Sequence, residues 1–163
     1  MSEKLFKQLE KEGKLRKQKA GLVQVEALLR EAILDLKEAK KICAIAERAT
    51  YILAYIAMLK AGRALLLANG YVPDDGGQHK TVIEVTANLL GTKFRDITAQ
   101  FERMRRKRNE ITYEAGYALS ASESQRAFSD SITLVKKILE HIKSGNPQLE
   151  IDFNLKKAIK IDP

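Results

Sequence analysis

The stretch "ATYILAYIAMLKAGRALLLA", residues 49–68, constrains the fold more than any other part of the chain. It is as long as a membrane span, and its apolar residues fall on every side of a helix instead of along one stripe. Lys60 and Arg63 stand inside it, and each costs roughly 2.5–3.5 kcal/mol near a bilayer centre. The segment therefore reads as the most buried helix of a bundle, with no membrane partner, and its flanks must supply helices to cover it. Asn69 and Gly70 follow, and Pro73 forbids continuation, so a helix is predicted over about 48–69.

The covering helices can be read from their period. Leu22, Val25, Leu29, Ala32, Leu36, Ala39 and Cys43 recur at alternating intervals of three and four, opposite Arg30, Glu31, Lys37 and Lys41. A shorter helix is predicted from about 79 to 90, with Val82, Ile83, Val85, Leu89 and Leu90 inward. A further helix starts near Lys93 with Phe94, Ile97, Phe101, Met104, Arg108 and Ile111 on one line. The last runs over about 123–143 with Phe128, Ile132, Val135, Leu139 and Ile142 inward. Short connections imply an all-α, antiparallel four- to five-helix bundle. Seams this regular also suit a dimer interface.

The ends are less regular. Residues 1–20 read as a charged helical arm with Leu5, Phe6 and Leu9 as its sticky side and Gly13 as an interruption. Residues 21–145 form the bundle, and 146–163 a C-terminal tail. In that tail "LEIDFNL" alternates apolar and polar residues, which suits a short edge strand or an extended arm lying on a partner.

Composition narrows the function. Of 163 residues, 31% are charged and 45% hydrophobic, which excludes a disordered chain. The net charge of +8 favours anionic partners, nucleic acid among them. Cys43 is the only cysteine, so no internal disulfide forms, as suits a reducing cytoplasm. It sits on an apolar stripe with no histidine near it in sequence, which makes it a packing residue. The first twenty residues lack the apolar run of a signal peptide. "DDGGQHK" lacks phosphate-loop spacing. Asp74, Asp75 and His79 there read as a polar turn and a helix start, not as a metal site. His141, near a helix end, is expected to meet the last carbonyls. No cofactor is expected.

The feature that stands out chemically is "MRRKRNEITYE", residues 104–114. Arg105, Arg106 and Lys107 can be solvated and present a basic track for phosphates. Arg108 cannot be dismissed in that way, because it falls on the apolar line between Met104 and Ile111. A guanidinium there must pair with an acid, reach an interface or line a cleft.

"AYIAMLKAGRALLLANGYVPDDGGQHKTVIE", residues 54–84, and "FERMRRKRNEITYE", residues 101–114, resemble the HEPN family (higher eukaryotes and prokaryotes nucleotide-binding). The likeness extends over about 13–143. The resemblance implies a helical bundle that dimerises. It also implies, in many members, a metal-independent endoribonuclease, often the toxin of a toxin–antitoxin pair or part of a defence system, with a nucleotidyltransferase antitoxin as partner. The family motif is an Arg, commonly followed by a polar residue, and then a His after four to six positions. Arg108 and Asn109 match its first two elements; where the His belongs stands Tyr113. A histidine near pKa 6.5 both takes and gives protons near neutrality, whereas a tyrosine near 10 stays protonated and is a poor base. By this resemblance Arg108 grips a phosphate, Asn109 positions it or braces Arg108, and Tyr113 stacks on a base or donates a hydrogen bond. The ligand is RNA or a nucleotide phosphate. The other reading is a non-catalytic dimeric module that docks a protein, with Arg108 in a structural ion pair to Glu110, Glu114 or an acid on another helix.

Overall fold

The structure, a computed structural model, describes residues 2–19, 21–74, 76 and 78–155. Six α-helices, a single 3-10 turn (Thr92–Phe94) and one pair of short strands make up the regular elements of the described residues: α1 (Ser2–Lys11), β1 (Leu15–Lys17), α2 (Leu22–Ile42), α3 (Glu47–Ala68), β2 (Tyr71–Pro73), α4 (Gln78–Leu90), α5 (Arg95–Tyr113) and α6 (Ala121–Gly145). The chain is an all-α bundle.

α3 is the axis of the bundle. With apolar residues on every side it can be stable in water only if it is wrapped, and α2, α4, α5 and α6 all pack on it. Tyr55, Met58, Leu65 and Leu66 are almost wholly inaccessible. The two charges inside it are handled differently. Lys60 Nζ reaches Asp35 Oδ2 of α2 at 2.8 Å and Glu31 Oε2 at 3.3 Å. Burial pushes the Asp35 carboxyl above its ordinary range, with the Lys60 ammonium opposing that shift. Arg63 leans to the start of α4, where its Nη2 donates to Gln78 Oε1 at 3.2 Å.

α3 and α4 approach each other closely at Gly62. A methyl group there would lie 2.6 Å from Val82 Cγ1 and 3.0 Å from Thr86 Oγ1, so α3 and α4 nearly touch backbone to side chain. Both neighbours are β-branched and stiff, so neither can swing aside. α6 uses small residues for a related purpose. Its buried line begins with Ser124, Ala127 and Ser131 and continues through Leu134, Val135, Ile138, Leu139 and Ile142. The expected Phe128 and Ile132 are only partly buried. Ser124 Oγ caps the Glu47 carbonyl at 3.0 Å, and Ser131 Oγ bonds back to the Phe128 carbonyl at 2.7 Å, so both buried hydroxyls are satisfied. Ser120 starts α6 with a capping box: its Oγ accepts from the Glu123 N–H, and its own N–H donates to Glu123 Oε2.

Three peripheral expectations are corrected. The N-terminal arm is helical only over Ser2–Lys11 and breaks at Gly13 as expected, but a strand follows where more helix was read. After α1 the chain turns at Gly13 (φ 71°), and Leu15–Lys17 pairs antiparallel with Tyr71–Pro73, Arg16 opposite Val72. No hydrophobic period announces strands this short. Over its described residues, to Leu155, the tail forms no edge strand. It runs extended along α2 of its own chain, where Arg30 Nη2 donates to the Glu150 carbonyl and Lys40 Nζ to the Leu155 carbonyl. Its own Leu149 and Ile151 are buried against the bundle. His141 does not meet the last carbonyls of α6: Asn146 Nδ2 takes the Ile142 carbonyl at 3.0 Å.

Two outcomes follow from this packing. Gly62→Ala loses about 1–3 kcal/mol by overpacking, more than the helix propensity that it gains, and lowers the melting midpoint; adding Val82→Ala restores part of it. Lys60→Ala costs about 2 kcal/mol in denaturant unfolding, because Asp35 is left buried without its cation. Lys60→Met with Asp35→Leu costs less than the single change.

Candidate phosphate-binding cleft

The site is set by how α4 begins. Gly70 takes φ 82°, its N–H donates to the Leu67 carbonyl, and α3 ends. β2 is then held by β1, with Asp74 N–H donating to the Lys14 carbonyl and Arg16 Nε lying 3.5 Å from Asp74 Oδ1. Phe6 of α1 stacks on Tyr71, ring centroids 4.5 Å apart. β2 also packs against α4, and the first turn of α4 faces the C-terminal half of α5. Between them lies an open cleft of about 440 Å³ lined by Gly76, Gln78, His79, Lys80, Arg105, Arg108 and Asn109. Three cations and no carboxylate line it.

Arg108 is half-buried, as its place on the apolar line of α5 requires. Among the described residues it has no acidic partner: Nη1 donates only to Asn109 Oδ1 at 3.4 Å, and the buried Nε has no acceptor. The structural ion pair to Glu110 or Glu114 is therefore not formed. Arg105 is different. Its Nε and Nη2 make a two-pronged bond to Glu102, at 2.9 and 2.8 Å. That bond, chiefly its hydrogen bonding, holds the Glu102 carboxyl below its usual range. Arg105 thus borders the cleft with much of its charge already matched.

The other motif residues go elsewhere. Arg106 is exposed and bonds Glu102 at 3.1 Å. Lys107 pairs with Glu123 of α6. Both face a second groove with Arg103, Arg126, Glu110 and Glu123, of about 310 Å³ and of mixed charge. So the expected basic run divides between two flanks of α5. Tyr113 stands at the end of α5, 78% exposed and outside the cleft. The cause is helix geometry. Five residues turn a helix by about 140° beyond one full revolution, so position 113 leaves the face of Arg108. Position 112 keeps that face, and Thr112 Oγ1 bonds the Arg108 carbonyl at 2.7 Å.

Sequence reasoning passed over His79, Tyr55 and Arg63. His79 looked like the first turn of a helix and nothing more; its neighbours come from 24 and 29 positions away and no local spacing shows them. Tyr55 is 1% exposed, and its hydroxyl lies 2.9 Å from His79 Nδ1. Burial pushes the phenol up to about 12. Burial first, and then the Arg63, Arg108 and Arg105 guanidiniums, push the imidazole of His79 below its ordinary value. His79 is therefore neutral near pH 7. Among the described residues no three His, Cys, Asp or Glu side chains gather as a metal site; Asp75 lies outside them.

Comparison with protein families matches residues 25–145, well over half of the chain, to the HEPN domain. The chain belongs to the HEPN family. Comparison with curated proteins yields no matching relative. HEPN domains are tied to nucleotide and RNA functions and commonly dimerise, and the matched region contains both faces of the cleft.

The lowered pKa of His79 fixes a sign. Between its folded value and the ordinary 6.5, the unfolded chain binds more protons than the folded one, so stability rises with pH across that window and is lost as pH falls through it. His79→Gln flattens this slope in denaturant midpoints measured from pH 4.5 to 7.5.

Proposed function

We propose that this HEPN protein binds RNA or a nucleotide phosphate in the cleft between the start of α4 and the second half of α5. The observation that carries this reading is the Arg108 guanidinium, half-buried and without an acid among the described residues. A buried cation normally has an anionic partner. Here a phosphate oxygen pair would supply it, in the two-pronged geometry that a guanidinium fits. Asn109 braces the guanidinium through its Oδ1, Lys80 adds charge at the opposite wall, and Arg105 is held in place by Glu102. The excess positive charge of the chain would steer a polyanion to this face. In this reading the protein works as a cytoplasmic homodimer within a toxin–antitoxin or defence system, with a nucleotidyltransferase antitoxin as a protein partner.

The second reading, a non-catalytic docking module, is favoured by one observation: Tyr113 projects into solvent away from Arg108, as a side chain that meets another protein would. The two readings separate in one titration. Affinity for a single-stranded RNA oligonucleotide is measured by fluorescence anisotropy across a range of salt. Phosphate binding requires Arg108→Ala to weaken it about tenfold or more and to lower the salt slope by about 1, with the melting midpoint nearly unchanged. Unaltered RNA affinity with a loss of thermal stability supports the docking module instead.

A further inference from the structure

A second hollow opens at Gln78, which lines both it and the cleft. It encloses about 330 Å³ between the β1–β2 clasp, α2, α3 and the start of α4. Its lining differs from that of the cleft. Leu28, Leu67, Val72 and Pro73 make much of it apolar, and Arg16, Gln18, Arg63 and Gln78 supply the polar part. No carboxylate lines it. Arg63 repeats here the state of Arg108. It is half-buried, its Nε is buried without an acceptor, and among the described residues its bond goes to a neutral amide, Gln78 Oε1 at 3.2 Å, and to no acid. That bond uses the amide oxygen, so what Gln78 has left to offer is its NH2 group, a donor. Gln18 is held by its backbone, whose N–H donates to the Gly70 carbonyl at 2.9 Å, and its side-chain amide is left to the hollow. Arg16 is exposed at the rim in a loose 3.5 Å contact with Asp74 that stabilises little.

An inorganic anion here would satisfy the guanidinium and leave four apolar side chains against water. A flat ring with acceptors along one edge satisfies both. We propose that this hollow is the base subsite for the ligand whose phosphate sits on Arg108, and that it takes an unstacked guanine. The proposal rests on the phosphate-binding reading above and names the ligand more closely. Arg63 and Gln78, bonded to each other, present donors side by side. Guanine offers two neighbouring acceptors to such a pair, O6 and N7. Adenine places an amino donor beside its N7, and cytosine also presents an amino donor, so in each case donor would face donor. The faces of the ring pack on Leu28, Leu67, Val72 and Pro73. Bases of single-stranded RNA can be splayed out and read on their edges in this way. Because Gln78 is common to both hollows, base and phosphate belong to one ligand that passes over the first turn of α4.

The full chain is titrated, by fluorescence anisotropy, against three end-labelled RNA pentamers of cytidine whose central unit is guanosine, adenosine or an abasic ribose. All three carry the same phosphates, so the contact with Arg108 is common to them and the central base alone tells them apart. The guanosine pentamer is expected to bind about tenfold tighter than either of the others. Arg63→Met keeps the apolar stem and loses the donors; it brings the guanosine pentamer down to the other two and leaves the abasic one within about twofold. Gln78→Glu removes the preference by another route, since the new carboxylate pairs with Arg63 and closes the donor edge while the contact between α3 and α4 is kept. Arg108→Ala weakens all three pentamers alike. Equal affinity for the three, or a preference for adenosine, overturns the base subsite while the phosphate-binding reading survives. So does a guanosine preference that outlasts both Arg63→Met and Gln78→Glu. If none of the three binds, or if Arg108→Ala changes none of them, both readings fall.

Discussion

The whole molecule depends on burying α3. A helix with no polar face has no stable arrangement in water except at the centre of others, and that requirement fixes the neighbours, their closeness and the treatment of the two cations it carries. Lys60 is matched by an acid from α2, so the charge is settled within the bundle. Arg63 is turned toward the start of α4, so its charge is spent on the edge of the cleft and helps to hold His79 neutral. One helix therefore supplies the core, the hydroxyl that orients an imidazole and part of the field around it.

The cleft exists because one guanidinium occupies an apolar line. Between Met104 and Ile111, both buried, Arg108 can neither dissolve in bulk water nor pack as a hydrophobe. It stays half-covered with its Nε unmet. Arg105, three residues earlier on the same side, is neutralised within its own helix by Glu102. Two arginines of similar position thus have different duties: one is structure, the other is open to an anion.

Much of this was legible in the sequence, and the reasons differ by element. The period of three and four located α2, α4 and α5, and the all-round apolarity of residues 49–68 marked the central helix. The anomaly at Arg108 could be read from its register. The strands could not, since three residues carry no period and their pairing joins positions more than fifty apart. Phe128 and Ile132 were expected inside α6 because large apolar residues ordinarily fill cores, yet close packing on α3 favours Ser124, Ala127 and Ser131. Tyr113 was singled out by motif position alone, and within one chain it stands exposed at the end of α5, off the face of Arg108. His79 was hidden for the opposite reason: its significance lies in residues that the fold, not the order of the chain, brings to it.

The short clasp between β1 and β2 has a reach beyond its size. Phe6, Leu15 and Arg16 all hold the segment from Tyr71 to Asp74 that precedes α4. The strand that runs up to α4 thus has its aromatic, backbone and charged partners in the first seventeen residues, so the start of the chain is part of the wall behind the cleft and not an appendage.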